Sequence, residues 1–325
     1  MTKMDAIEIT QSGAPDVLKP ARRDRPQPGE GELLIEVRAA GVNRPDVLQR
    51  KGLYPPPDGA SDLPGLEVAG TVAALGPGAE GFREGDAVMA LLPGGGYAGF
   101  AVCHARHVLP KPETVSFVEA AAFPETAYTV FANAFEAGGL RAGERLLVHG
   151  ATSGIGTMAG RMARAFGAEP YGTAGSDAKC RAAEALGYAR CLNYREEDWA
   201  KLLGEAGGVD VVLDMVGGDY VAKNVSLLRE GGRHVSIAFL RGADAQFNVI
   251  EVMRKRLVLT GSTLRARPAE EKARLTGEIR RQLLPKLSEG LVTPVIHETF
   301  PLADAARAHR LMESSEHVGK IVLTL

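Results

Sequence analysis

The chain has 325 residues, 45% of them hydrophobic, enough to bury sizeable cores and to suggest about two domains. A formal charge of -2 supplies no positive field for phosphate backbones or anionic membrane surfaces, so neither nucleic acid nor a membrane is expected as a partner. Cys103, Cys180 and Cys191 are too few and too scattered for a disulfide framework; no Cys-x-x-Cys pair exists to hold zinc, and a reducing compartment fits.

The opening residues 1–10 lack the apolar core of a secretory signal, and charged residues interrupt every later apolar run before it could span a bilayer. A soluble, cytoplasmic protein is expected. Up to about Leu109, short β-like runs (33–40, 67–74, 87–91 and 99–109) alternate with Pro- and Gly-rich turns, the texture of a β-rich domain. Within the last run, Cys103-His-Ala-Arg-His107 is the only local Cys/His cluster. In a continuous strand residues 104 and 107 face opposite ways, so no shared metal is expected.

From Leu146 the texture changes to apolar strands alternating with helix-period segments, the pattern of consecutive βαβ units. The expected strands are 146–149, 170–174, 190–193, 209–214, 233–238 and 257–260, enough for a doubly wound parallel sheet. A long helical stretch follows at 269–288. Residues 292–300, a short helix and a strand at 320–325 then read as β-rich again, so the end of the chain can rejoin the first domain.

Between the first two of these strands lies Gly150-Ala-Thr-Ser-Gly-Ile-Gly156, after which Ile155, Met158, Ala159, Met162, Ala163 and Phe166 recur on one helical face. Strand, Gly-rich turn and amphipathic helix form a dinucleotide site: Gly154 and Gly156 let the backbone approach a pyrophosphate, and the helix N-terminus offers unpaired N–H groups. The second strand ends in Gly175-Ser176 where a free ribose would call for an acid, and Lys179 sits one turn into the next helix. A hydroxyl and an ammonium suit a 2′-phosphate, so NADPH is the expected cofactor. Asp177 would repel that phosphate unless it points away, and a solvated surface lysine is the plain alternative for Lys179.

Taken together, Ala39-Ala-Gly-Val-Asn-Arg-Pro-Asp46, Leu63-Pro-Gly-Leu-Glu67, Phe82-Arg-Glu-Gly-Asp86, the turn Leu91-Leu-Pro-Gly-Gly-Gly96, Ala151-Thr-Ser-Gly-Ile-Gly156, Asn193-Tyr194 and His317-Val-Gly-Lys320 carry a specific likeness. The chain resembles the zinc-free quinone oxidoreductase branch of the medium-chain dehydrogenase/reductase superfamily, ζ-crystallin-like and nearest the p53-inducible group. That resemblance implies an α/β protein with a GroES-like β-rich catalytic domain (1–124 and 294–325), a Rossmann nucleotide-binding domain (125–293), NADPH in the cleft between them, and a homodimer.

Zinc-dependent relatives carry a Cys where this chain has Asn43 and a His where it has Leu66, and neither replacement supplies a thiolate or imidazole. Carried over position by position, the resemblance implies Asn43 near the nicotinamide and Ser153, Gly154, Ile155 and Gly156 at the pyrophosphate. It puts Ser176, Lys179 and Tyr194 around the 2′-phosphate, Phe239 and Leu264 along the cleft, and Lys320 near the cofactor. Core packing competes as the role of Tyr194 and Phe239.

Quinone reduction asks the protein mainly for orientation. Tyr54, ahead of Pro55-Pro56-Pro57, lies where close relatives have the substrate mouth, and its hydroxyl is the first candidate to bond a quinone oxygen; simple loop packing competes. Ser153 is the second candidate, with helix capping as its alternative. Reduction of an activated C=C bond, in an enone or enoyl thioester, uses the same hydride geometry, and a positioned acid would favour it. A crystallin-like structural or RNA-binding role is the non-enzymatic rival, and the charge argues against RNA. The apolar segment 256–262 is expected at an exposed sheet edge, where it would pair two subunits.

Overall fold

The computed structural model describes residues 2–325; Met1, with which the opening stretch begins, lies outside them. The chain divides into two compact units, one of residues up to Thr126 together with Arg265–Leu325, the other Ala127–Leu264.

In the first unit the chain runs through β1 (Lys3–Ile9), β2 (Leu18–Asp24), β3 (Glu32–Val42), β4 (Glu67–Leu75), β5 (Ala87–Leu91), β6 (Phe100–His104) and β7 (Val108–Pro110). β1 and β2 pair with each other, and β3 pairs antiparallel with both β4 and β6. Alternate residues of β3, Leu33, Ile35 and Val37, point to one face and bury themselves against Ile7, Val68, Val72 and Val88. Leu34, Ala39 and Ala40 are buried as well, so most of this strand is covered on both faces, as suits its place in the middle of the sheet.

The second unit contains β8 (Arg145–His149), β9 (Glu169–Ala174), β10 (Arg190–Asn193), β11 (Val209–Asp214), β12 (Leu228–Ser236) and β13 (Val258–Gly261). Their order is β10-β9-β8-β11-β12-β13 and every pairing is parallel. The strand order reverses between β8 and β11, so the chain leaves the carboxyl ends of these neighbours in opposite directions and opens a crevice there. The chain then returns to the first unit with β14 (Ile296–Pro301) and β15 (Lys320–Thr324), and β15 lies antiparallel to β3.

Four local readings change. β1 and β2, which the sequence pattern did not single out, form a small sheet of their own. The run expected as one strand over 99–109 breaks into β6, a 3-10 turn Ala105–His107 and β7. The turn removes the strand alternation, so His104 and His107 do not face opposite ways: their rings lie 5.3 Å apart. His107 Nε2 nevertheless bonds Ala269 O and His104 Nδ1 accepts from the Arg106 N–H. Among the described residues no three His, Cys, Asp or Glu side chains group to hold a metal.

The helical stretch 269–288 is two helices, Ala269–Gln282 and Leu284–Ser288, interrupted ahead of Pro285. The division between the units also falls elsewhere than at 293/294, because the helix Ala269–Gln282 packs with the first unit. Arg106 pairs with Glu270 at 2.6 Å, and Arg280 donates to Val108 O at 3.0 Å. Among the described residues no helix is long and apolar enough to cross a membrane.

Candidate functional site

In the second unit, β8 ends at His149 and Gly150 turns the chain with a φ of 71°, a conformation that suits glycine. The helix Gly154–Ala165 starts immediately, capped by Ser153, whose Oγ accepts the Gly156 N–H at 2.9 Å. A Cβ at Gly156 would lie 2.3 Å from Gly150 O and 2.6 Å from the Ala151 carbonyl, both backbone atoms that cannot step aside. Helix and turn therefore approach as closely as a residue without a side chain permits. Ahead of the capped Gly156, the N–H groups of Gly154 and Ile155 have no intrahelical acceptor and lie at the sheet's reversal point. This cradle fits a dinucleotide pyrophosphate. Ser153 is engaged as the cap, and its Oγ also lies 3.9 Å from Met215 Sδ.

At the end of β9, Ser176 caps the helix Asp177–Ala185 by accepting the Lys179 N–H at 3.4 Å. Asp177 is held by Asn193, whose amide donates to Asp177 Oδ1 at 2.8 Å. Tyr194 follows at the end of β10 and is 41% exposed, which removes core packing as its role. A Cβ on Gly175 would fall 2.6 Å from the Tyr194 hydroxyl and 3.6 Å from Arg195 Nε, so phenol and guanidinium converge on the Gly175-Ser176 backbone. Sequence reasoning missed Arg195, although a base directly after Tyr194 was a usable signal. Tyr194, Arg195, Lys223 and Arg241 border a depression of about 290 Å³ whose wall also carries Glu196, Glu197, Asp198 and Asp219, the last paired with Arg241 at 3.1 Å. The donors that would suit a ribose phosphate are the Tyr194 hydroxyl and the Arg195 guanidinium at the Gly175-Ser176 backbone. Phe239, 67% exposed, lies in the loop after β12 beside Gly217, and Leu264 is half-buried at the unit's last position.

In the first unit Asn43 and Lys320 belong to one buried cluster. Lys320 Nζ, on β15, donates to Glu67 Oε1 at 2.6 Å, Asn43 Oδ1 at 2.5 Å and Val42 O at 3.1 Å. Asn43 Nδ2 donates to the same Glu67 oxygen at 2.8 Å, while Glu67 Oε2 accepts the Glu125 N–H at 2.8 Å. Lys320 is 2% exposed and Glu67 fully buried, so the ammonium is spent on protein partners. Zinc does not fit here: the donor set is one amide and one carboxylate, Leu66 adds none, and a fixed cation already occupies its centre.

Beside this cluster, Asp46 accepts the N–H groups of Asn43 and Gly65, and its carboxyl is pushed up to about 6 by burial. Tyr54 stands half-buried in the loop after the helix Arg44–Arg50, and its hydroxyl makes no hydrogen bond to any described residue. The guanidinium of Arg265 lies 5.3 Å from its ring centroid and is fixed by Pro93 O, Tyr54 O and Gln49 Oε1. Burial, then the nearby Glu125 carboxylate, push the Tyr54 phenol above its usual range, which keeps it a hydrogen-bond donor. Arg265 and Glu125 carried no sequence signal: one is an isolated base in a loop, the other an acid in a helix first turn, ordinarily a dipole partner.

Residues 29–113 match the family described as "Alcohol dehydrogenase GroES-like domain" and residues 186–323 the one described as "Zinc-binding dehydrogenase". The chain is similar to the quinone oxidoreductase of Rattus norvegicus, 34% identical over 329 residues that cover 99% of this chain and 98% of that one. Among solved structures it resembles Escherichia coli quinone oxidoreductase complexed with NADPH, with a TM-score of 0.86 and 30% identity over 99% of this chain and 100% of that one. It also resembles the CurK enoyl reductase, with a TM-score of 0.87 and 29% identity over 99% of each chain.

Proposed function

The chain belongs to the medium-chain dehydrogenase/reductase superfamily, in its quinone oxidoreductase branch, and from that premise we propose that it is a zinc-independent, NADPH-dependent reductase of quinones. The observation that carries the cofactor choice is the end of β9, where Ser176, Lys179, Tyr194 and Arg195 stand in place of an acid and Asp177 is tied to Asn193. When bound, the cofactor supplies the hydride. Gly154, Ile155 and Gly156 would hold its pyrophosphate, and Ser153 keeps the helix end in register for that contact. Phe239 and Leu264 would give it apolar contact.

Asn43 and Lys320 act at one remove: their bonds to Glu67 hold the end of β3 against β4 and β15. Tyr54 presents an unpaired hydroxyl to a quinone oxygen. Without a thiolate or imidazole at positions 43 and 66 there is nothing to turn an alcohol into an alkoxide, whereas a quinone needs alignment and a hydrogen bond. Reduction of activated C=C bonds is the second reading, favoured by the likeness to the CurK enoyl reductase and by the positioned Glu125 carboxyl.

The test is steady-state NADPH oxidation with a para-quinone, an ortho-quinone, an enone and a simple alcohol. Quinone turnover without alcohol oxidation is expected. Tyr54→Phe should lower kcat/KM for quinones by about 0.5–1.5 kcal/mol with NADPH affinity nearly unchanged. Inert quinones with an efficiently reduced enone would transfer the assignment to the second reading.

A further inference from the structure

Glu125 opens the helix Pro124–Val130, and its backbone N–H is anchored on Glu67. Its own carboxyl is partly buried and makes no hydrogen bond or ion pair with any described residue. Every charged group near it is committed elsewhere. Lys320, on β15, is spent on Glu67, Asn43 and Val42 O, and Arg265 on Gln49 and the backbone of Pro93 and Tyr54. Lys272, on the helix Ala269–Gln282, donates to Arg265 O. The remaining neighbours, Glu67 on β4 and Asp46 on the helix Arg44–Arg50, are buried carboxyls whose charge opposes a second carboxylate.

Desolvation, and then Glu67, push the Glu125 carboxyl up to about 8, with Lys320 and Arg265 pulling the other way. An acid in that range keeps its proton at neutral pH and can still give it up. Tyr54, within electrostatic reach of the same carboxyl, is a donor of the opposite kind: its phenol is raised and keeps its proton. An unpaired acid and an unpaired phenol therefore share one neighbourhood of this unit.

We propose that Glu125 is the proton donor of the reaction, acting on the carbonyl oxygen of a conjugated acceptor that Tyr54 orients. The inference rests on the reading of the chain as a reductase of conjugated carbonyls, with a reduced nicotinamide as hydride donor. The hydride brings two electrons and one hydrogen to the acceptor, and negative charge collects on its carbonyl oxygen. The O–H bond of Glu125 breaks as a new O–H bond forms there, leaving the Glu125 carboxylate and an oxidised nicotinamide. A quinone leaves as the hydroquinone and an enone as the enol, which tautomerises in water. Glu125 recovers its proton from solvent between turnovers.

The experiment measures kcat/KM against pH for a para-quinone and an enone in the wild type, Glu125→Gln and Glu125→Asp. In parallel, the infrared band of protonated carboxyl groups is followed in the chain without acceptor. In the wild type kcat/KM should fall as pH rises through about 8, and a carboxyl band should disappear over the same range. Glu125→Gln should remove both signals and slow turnover by about 10²-fold, with NADPH affinity held within about twofold. Glu125→Asp, which keeps an acid, should restore the basic limb and part of the rate. A merely structural side chain would change the melting temperature and leave the limb in place. Wild-type rate and limb in Glu125→Gln, or no carboxyl band lost on that substitution, would overturn the assignment while leaving the reductase reading intact. A wild type that reduces neither acceptor would overturn both.

Discussion

Lys320→Met removes the cation from the buried cluster and leaves Glu67 with only the Asn43 amide and the Glu125 N–H as partners. Both charged side chains are essentially inaccessible, at 3% exposure or less, so water cannot take the place of the ammonium. Breaking a buried pair from one side costs about 3–5 kcal/mol, because the surviving charge stays desolvated. At about 2–4 °C per kcal/mol for a unit of this size, the melting temperature should fall by roughly 6–20 °C. Removing the partner charge as well, in Lys320→Met/Glu67→Gln, should recover most of that loss, since a neutral pair of similar volume is tolerated.

Differential scanning calorimetry on the two single variants and the double variant measures the coupling, and an NADPH titration of each variant separates stability from cofactor contact. A Lys320→Met variant that melts within about 2 °C of the wild type and loses NADPH affinity would refute the structural role and return Lys320 to the cofactor.

Arg195→Ala and Lys179→Ala should each weaken NADPH at least about tenfold while leaving NADH nearly unchanged, since a charge-assisted phosphate contact is worth roughly 1.5–3 kcal/mol; equal losses for both nucleotides in isothermal titration would contradict the 2′-phosphate reading. His309, bonded to Tyr97 and Arg50, is held near 3 by burial and by Arg50. The unfolded chain takes up that proton below about 6.5, so stability is lost as pH falls from there toward 3. Glu313, lowered to about 2 chiefly by Arg50, acts in the same direction below 4.5, while Asp46, raised to about 6, opposes both between about 4 and 6. His309→Gln should therefore move the acid-unfolding midpoint down by about one pH unit, followed by circular dichroism; an unmoved midpoint would exclude His309 as its source. Val258, 49% exposed on the edge strand β13, should seat a second copy of the chain, so the wild type should sediment as a dimer and Val258→Asp as a monomer; a wild-type monomer at micromolar concentration would end that proposal.

What the sequence by itself determined is whatever local periodicity and glycine chemistry encode. The parallel strands could be read because each is a short apolar run closed by a turn, and the tight turn from β8 into the next helix because Gly150, Gly154 and Gly156 punctuate it. At positions 43 and 66 the expectation came from the resemblance to zinc-dependent relatives together with side-chain chemistry, since neither Asn nor Leu offers a thiolate or imidazole. The break at Ala105–His107 was not legible: its residues meet the helix Ala269–Gln282, Arg106 at Glu270 and His107 at Ala269 O, and nothing in five consecutive residues reports that partner.

Only the tertiary structure decided what the charged residues do. Lys320 and Glu67 stand 253 positions apart, and their meeting depends on β15 closing against β3. Arg265 reaches Gln49 across 216 positions, and the Glu125 carboxyl is raised by burial first and then by Glu67, which comes from another element. Ionisation and hydrogen bonding depend on burial and on neighbours within a few ångströms, and for these side chains the chain order places every such neighbour far away.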